Sequence, residues 1–155
     1  MAKWKTALSW REKLNRDRES RLVEDPRGRG LMLIPCGTEV EALVRKVRKG
    51  EPVTSDLLRE RLAADHGADL ACPLVTGIML RIVAETAEED LRMGKRRVAP
   101  YWRVLKPNGS LNPKFPGGID RQAARLAEEG FEIEPARGKS APRVKGWQAR
   151  PKKDL

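Results

Sequence analysis

The sequence predicts one mainly α domain over residues 31–134, flanked by basic segments at 1–30 and 135–155. Three observations lead there: apolar residues at helical spacing, Pro and Gly at the breaks between those stretches, and an uneven distribution of charge. The 155 residues suffice for one domain with a core and are too few for two comfortable ones. The net charge of +10 is large for this length. Residues 1–30 hold 9 Lys/Arg against 5 Asp/Glu, and residues 31–93 hold 8 against 11. Residues 94–134 hold 8 against 5, and residues 135–155 hold 7 against 1. Cations gathered at both ends and around one central motif favour a polyanionic partner. Ends kept charged only for solubility are the plainer alternative.

The stretch Trp10 to Arg21 suits a short charged helix, and Asp25-Pro26-Arg27-Gly28-Arg29-Gly30 reads as a linker. Leu31 to Ile34 is a hydrophobic patch far shorter than a membrane span. Thr38-Glu39-Val40-Glu41 fits a capping box, in which the Thr38 hydroxyl and the Glu41 carboxylate satisfy free backbone N–H groups. Val40, Leu43, Val44 and Val47 then form one apolar stripe. Arg45, Lys46, Arg48 and Lys49 crowd the negative end of that helix before Gly50 stops it; phosphate contact is the alternative use of these cations.

A second helix starts within Pro52-Val53-Thr54-Ser55-Asp56 and ends at His66-Gly67. Pro73 suits the first residue of a third, which runs through Leu74, Val75, Ile78, Met79, Ile82 and Val83 toward Leu91 and Gly94. Two helices joined by a short turn make a helix-turn-helix candidate. Glu88-Glu89-Asp90 reads as a solvated helix face, and Lys95-Arg96-Arg97 as a loop able to reach phosphates. Residues 135–155 combine Pro, Gly and Lys/Arg with almost no apolar period, a tail unable to build a core by itself.

Several chemistries drop out. His66 is the single His, placed at a helix end, and with Cys36 and Cys72 it makes no zinc set. Two Cys are too few for a disulfide framework and suit buried thiols in a reducing cytosol. Met1-Ala2-Lys3-Trp4 leads into charged sequence without the apolar run of a signal peptide, so the expectation is a cytoplasmic protein with no membrane partner. Gly117-Gly118 lacks the strand and Lys of a phosphate-binding loop and reads as a tight turn. No acid–base pair, nucleophile constellation or cofactor signature is visible.

Residues Pro100 to Gly130 carry the most information. Pro100, Arg103 and Val104 are followed by a turn at Asn108-Gly109, then Gly117-Gly118, then a helix ending at Glu129-Gly130. This order resembles the active-site segment of the alkylguanine-DNA alkyltransferase family, where P-C-H-R-V precedes a Gly turn, a Gly pair and a helix ending in E-G. The likeness covers roughly residues 32–133. The family's acceptor Cys falls on Tyr101 and its activating His on Trp102. A suicide alkyl transfer needs a thiolate beside a base, which Tyr and Trp cannot supply.

The resemblance implies a winged helix-turn-helix domain that docks its second helix in the minor groove and rotates the damaged nucleotide outward. By position, the family's phosphate-rotating Tyr falls on Ser55 and its intercalating Arg near Leu74; Thr76, on the same helix, joins the docking set. Leu74 acts there as an apolar wedge or packs internally. Of Tyr101 and Trp102, adjacent in an extended segment, one faces the cleft, and the family pattern selects Tyr101. Arg103 belongs to the support of the site. The expectation is a non-enzymatic binder of DNA, a sensor of alkylated guanine that flags it for a repair-protein partner. The alternative is the same domain applied to structured RNA, with the basic ends as extensions.

Overall fold

The computed structural model describes residues 8–147; Met1 to Trp4 and the last cations of the basic tail lie outside the described residues. Helices α1 (Trp10–Leu14), α2 (Gly37–Arg45), α3 (Ser55–Asp65), α4 (Pro73–Arg92) and α5 (Gly118–Glu128) alternate with short strands. The strands are β1 (Arg21–Glu24), β2 (Leu31–Ile34), β3 (Val53–Thr54), β4 (Leu70–Ala71), β5 (Val104–Leu105), β6 (Ile133–Glu134) and β7 (Arg143–Val144). They form three small sheets, so the fold is mixed rather than mainly α. The sheets are β1-β2-β4, the parallel pair β3-β5 and the antiparallel pair β6-β7.

Helix α4 is the central element, with α1, α2, α3 and the turn at Tyr101–Arg103 packed around it. Its buried side presents Leu80, Val83, Ala84 and Ala87 to Leu33, Val40, Val44 and Leu58. The predicted stripe on α2 holds: Val40, Leu43, Val44 and Val47 are all in the core. The predicted cap does not. The helix begins two residues after Pro35, with Cys36 at the cap position, and Thr38 is spent on a 3.3 Å contact with the Cys36 thiol. Glu41 instead pairs with Arg11 and Arg45. Gly37 allows that early start, because a Cβ there would lie 2.8 Å from Leu14.

Residues 8–30 are therefore not an appendage to a domain beginning at residue 31. Leu14 is 1% exposed within the main core, and β1 pairs antiparallel with β2 in the register Arg21 opposite Ile34. Ser9 and Glu12 make the capping box that Thr38 does not. The connection from α3 to α4 is also more than a turn, since β4 within it pairs parallel with β2.

The C-terminal segment departs from its expected role as a bare tail. Val144 is buried in a second cluster with Leu105, Leu111 and Leu126, which Ile119, Phe131 and Trp147 flank. The Trp147 ring covers Gly109 so closely that a Cβ would fall 2.7 Å from it. Trp102 touches both clusters and joins them.

Candidate nucleic-acid interface

The motif at Pro100 folds as a 3-10 turn over Tyr101–Arg103, not as an extended segment. The alternation expected of an extended chain is thus absent. Tyr101 is 0% exposed and makes edge-on contacts with Trp102 and Phe115. Its hydroxyl donates a 2.6 Å hydrogen bond to Glu88. Burial first, and then this bond to a carboxylate, push its pKa well above the usual phenol range. Tyr101 faces the core and not a cleft, which corrects the expectation. A ring this large gains more from burial than from solvent when a carboxylate takes its hydroxyl.

Trp102 is half-buried, with the Arg125 and Arg103 guanidinium carbons 5.2 and 5.9 Å from its ring centroid, and its indole N–H donates to Glu129. It offers little free face for a base. Arg103 donates to both Glu129 oxygens and to the Val47 carbonyl, an internal brace as its support role required. Burial alone would raise the Glu129 carboxyl; the bonds from Arg103 and Trp102 outweigh it and hold the group below its ordinary value.

Glu88-Glu89-Asp90 is not a solvated face either. Glu88 takes Arg125 and Arg121 besides Tyr101. Glu89 accepts the backbone N–H groups of Trp10 and Arg11 at 3.0 and 3.1 Å, satisfying the free end of α1. Asp90 pairs with Arg11 at 2.8 Å and with Lys95 at 3.4 Å. Lys95, Arg96 and Arg97 are exposed, as a phosphate-reaching loop needs, but they follow the C-terminus of α4. Twenty helical residues span about 30 Å, so they stand at the opposite end of the helix from Leu74.

The other predicted residues do come together. Ser55 and Thr76 line a small recess of about 190 Å³ with Arg59 and Pro107. Thr76 is buried and gives its hydroxyl to the Cys72 carbonyl, so its polar atom serves the helix; it forms the recess floor and does not offer a free donor. Leu74 is 72% exposed, which excludes internal packing. It lines an adjoining groove of about 570 Å³ that shares Pro73 and Gly77 with the recess. Ile78 and Ile82 continue the apolar floor, Trp10 forms one wall, and Lys106, Asn112 and Lys114 the other.

Charge separates this surface from the rest. Arg59, Arg81, Lys106 and Lys114 line the groove and recess, and no Asp or Glu does. Among the described residues Arg81, Lys106 and Lys114 make no ion pair. A cavity of about 520 Å³ beyond α3 is mixed instead, with Arg29 and Arg59 facing Asp56, Glu60 and Asp69. Three carboxylates there would repel a phosphate chain. In that quarter Arg29 is already spent: its hydrogen bond to Asp25, ahead of smaller backbone bonds, holds the Asp25 carboxyl at about 2.

Sequence reading missed Trp10, Arg81, Lys106 and Lys114 as site residues. Trp10 had a usable signal, the Ser9-x-x-Glu12 box that starts a real helix. Arg81 follows Leu74, Gly77 and Ile78 at helical spacing, on the stripe left uncovered. The lysines of the 106–114 loop had none; Gln122 sets their position by binding the Trp102 and Val104 carbonyls and the Asn112 N–H.

No family model matches the chain, and no curated protein or solved structure matches it either. Among the described residues, no helix is long and apolar enough to cross a membrane, and no group of three His, Cys, Asp or Glu is placed to hold a metal ion.

Proposed function

We propose that this chain is a non-enzymatic DNA-binding protein that lays the exposed face of α4 on a duplex and senses alkylated guanine, in the manner of the alkyltransferase-like proteins. The observation that carries this reading is the carboxylate-free groove on α4, with three unpaired cations around exposed Leu74 and Ile78. Phosphates would meet Arg81, Lys106 and Lys114, and Leu74 would press between base steps as an apolar wedge. Helices α3 and α4 would serve as the helix-turn-helix, with β6-β7 as its wing. Gly77 supports the reading independently. Glycine on an exposed helix costs about 1 kcal/mol relative to Ala, yet nothing lies within 4 Å of its absent Cβ. The fold has no use for it, whereas close approach of a partner does.

Tyr101 supports the absence of alkyl transfer. Its hydroxyl is buried, protonated and committed to Glu88, so it is no nucleophile. Binding should be measured, across a salt series, for a duplex carrying an alkylated guanine, the same duplex undamaged, and a structured RNA. Tightest binding to the alkylated duplex, with no alkyl group left on the protein, is the expected outcome. Tighter binding to the RNA than to either duplex would hand the groove to RNA, and a labelled protein would end the non-enzymatic reading.

A further inference from the structure

The groove has an aromatic wall supplied from outside the segment that resembles any family. Trp10 belongs to α1, and α1 is fixed on α4 three ways. Glu89 receives the Trp10 and Arg11 N–H groups, Arg11 bridges to Glu41 and Asp90, and Leu14 is buried in the core. The indole is thus held in place by its backbone while remaining only half-buried. The Lys13 ammonium sits 4.2 Å from its centroid, covering part of the ring with positive charge. Facing it across the Leu74–Ile78 floor, Asn112 is also fixed. Its N–H donates to Gln122 and its Oδ1 accepts the Lys114 N–H, which leaves the amide NH₂ to donate elsewhere.

We propose that this groove is a pocket for a single unpaired nucleobase, damaged or not, with Trp10 as its stacking platform. The proposal rests on the nucleic-acid reading above and adds the class of ligand and the residue that selects it. About 570 Å³ lies within the range of small-molecule sites, roughly 300–1,000 Å³, and is far too small for a paired helix. Every base has a π face, so an indole wall accepts any of them, while the Asn112 amide meets the acceptors on a base edge. Arg81, Lys106 and Lys114 take the phosphates on either side of the extruded nucleotide.

The test compares a fully paired duplex with the same duplex carrying one unpaired nucleotide, using the full chain and its Trp10→Ala, Trp10→Phe and Asn112→Ala variants. The wild type should prefer the unpaired site. Trp10→Ala should lower that preference by roughly tenfold, within the range for loss of one base–aromatic stack, and leave paired-duplex affinity nearly unchanged. Trp10→Phe should keep most of the preference but lose the quenching of tryptophan emission on binding. Asn112→Ala, which does not touch α1, should weaken the preference without altering the unfolding midpoint, so a loosened α1 cannot account for both results. A wild type that binds paired and unpaired duplexes equally overturns this proposal and spares the DNA-binding one. A preference untouched by Trp10→Ala does the same. No binding to either duplex overturns both.

Discussion

The two halves of helix α4 carry opposite fates for charge. Toward its C-terminus, Glu88, Glu89 and Asp90 are enclosed, and their carboxylates hold Tyr101, Arg125, two N–H groups of α1, Arg11 and Lys95. Toward its N-terminus, Leu74, Gly77, Ile78 and Arg81 face outward, and the cations nearby are left without partners. The difference separates two uses of polar residues. A buried carboxylate with every lone pair engaged is a fastening for the fold. Unpaired cations beside exposed apolar side chains gain nothing for the fold, and such a surface is where a partner gains most.

The largest expected effect lies in the fastened half. Glu88→Ala leaves the Tyr101 hydroxyl and the Arg125 guanidinium without their acceptor, and removing one partner of a buried pair costs about 3–5 kcal/mol. The lower end applies, because Arg125 keeps some access to water. Urea unfolding measures this, and a cost below about 1 kcal/mol would mean the network is not what holds α5 to α4. Tyr101 reports on the same network, being the chain's single tyrosine. Its pKa is raised on folding, so the stability it contributes is complete below the unfolded Tyr value of about 10 and is lost as pH climbs above it. Tyrosinate absorbance should therefore rise together with loss of helical circular dichroism; tyrosinate in a folded chain would place Tyr101 nearer solvent.

The open half should respond in the reverse way. Changing Arg81, Lys106 and Lys114 together to Ala should leave the unfolding midpoint nearly unmoved. The log–log salt slope of duplex binding should flatten by about 0.9 for each phosphate that is no longer neutralised. The triple change of Lys95, Arg96 and Arg97 to Ala, at the far end of the helix, should flatten it less. If that variant has the larger effect, the interface belongs to the C-terminal end of α4.

Smallest and most discriminating is Gly77→Ala. The added methyl meets nothing in the fold and should stabilise α4 by up to about 1 kcal/mol. Duplex affinity should nevertheless fall, since the methyl stands where the partner approaches. Stability and affinity rising together would show that Gly77 is not at the contact.

Much of this protein is legible along the chain. Pro73 opens α4, Ser55 and Asp56 open α3, and Gly118 and Glu129-Gly130 bracket α5. Leu74 is recognisable as a docking candidate, though only the fold shows that it is uncovered. The departures share one form. Thr38 has the right spacing to Glu41 for a cap, yet Arg11, thirty residues away, claims the carboxylate. Tyr101 turns to the core instead of a cleft, Glu88-Glu89-Asp90 to partners instead of water, and residues 8–30 and 135–147 join the fold instead of extending from it. In each case the deciding partner is distant in sequence: Glu88 meets Arg125 across 37 positions, and Asp90 meets Arg11 across 79.

The sequence by itself determined where the helices begin and end and that the chain carries excess positive charge. Those properties depend on backbone N–H groups, φ preferences and side-chain period within a turn or two of each residue. Tertiary structure alone decided which charges are spent and which are left over. A carboxylate on α4 becomes a fastening only when α1, α5 and the Tyr101 turn arrive beside it. Lys106, Lys114 and Trp10 become one groove only when Gln122 pins the loop and Glu89 pins α1. Pairing of charges is a matter of distance in space, and distance along the chain does not report it.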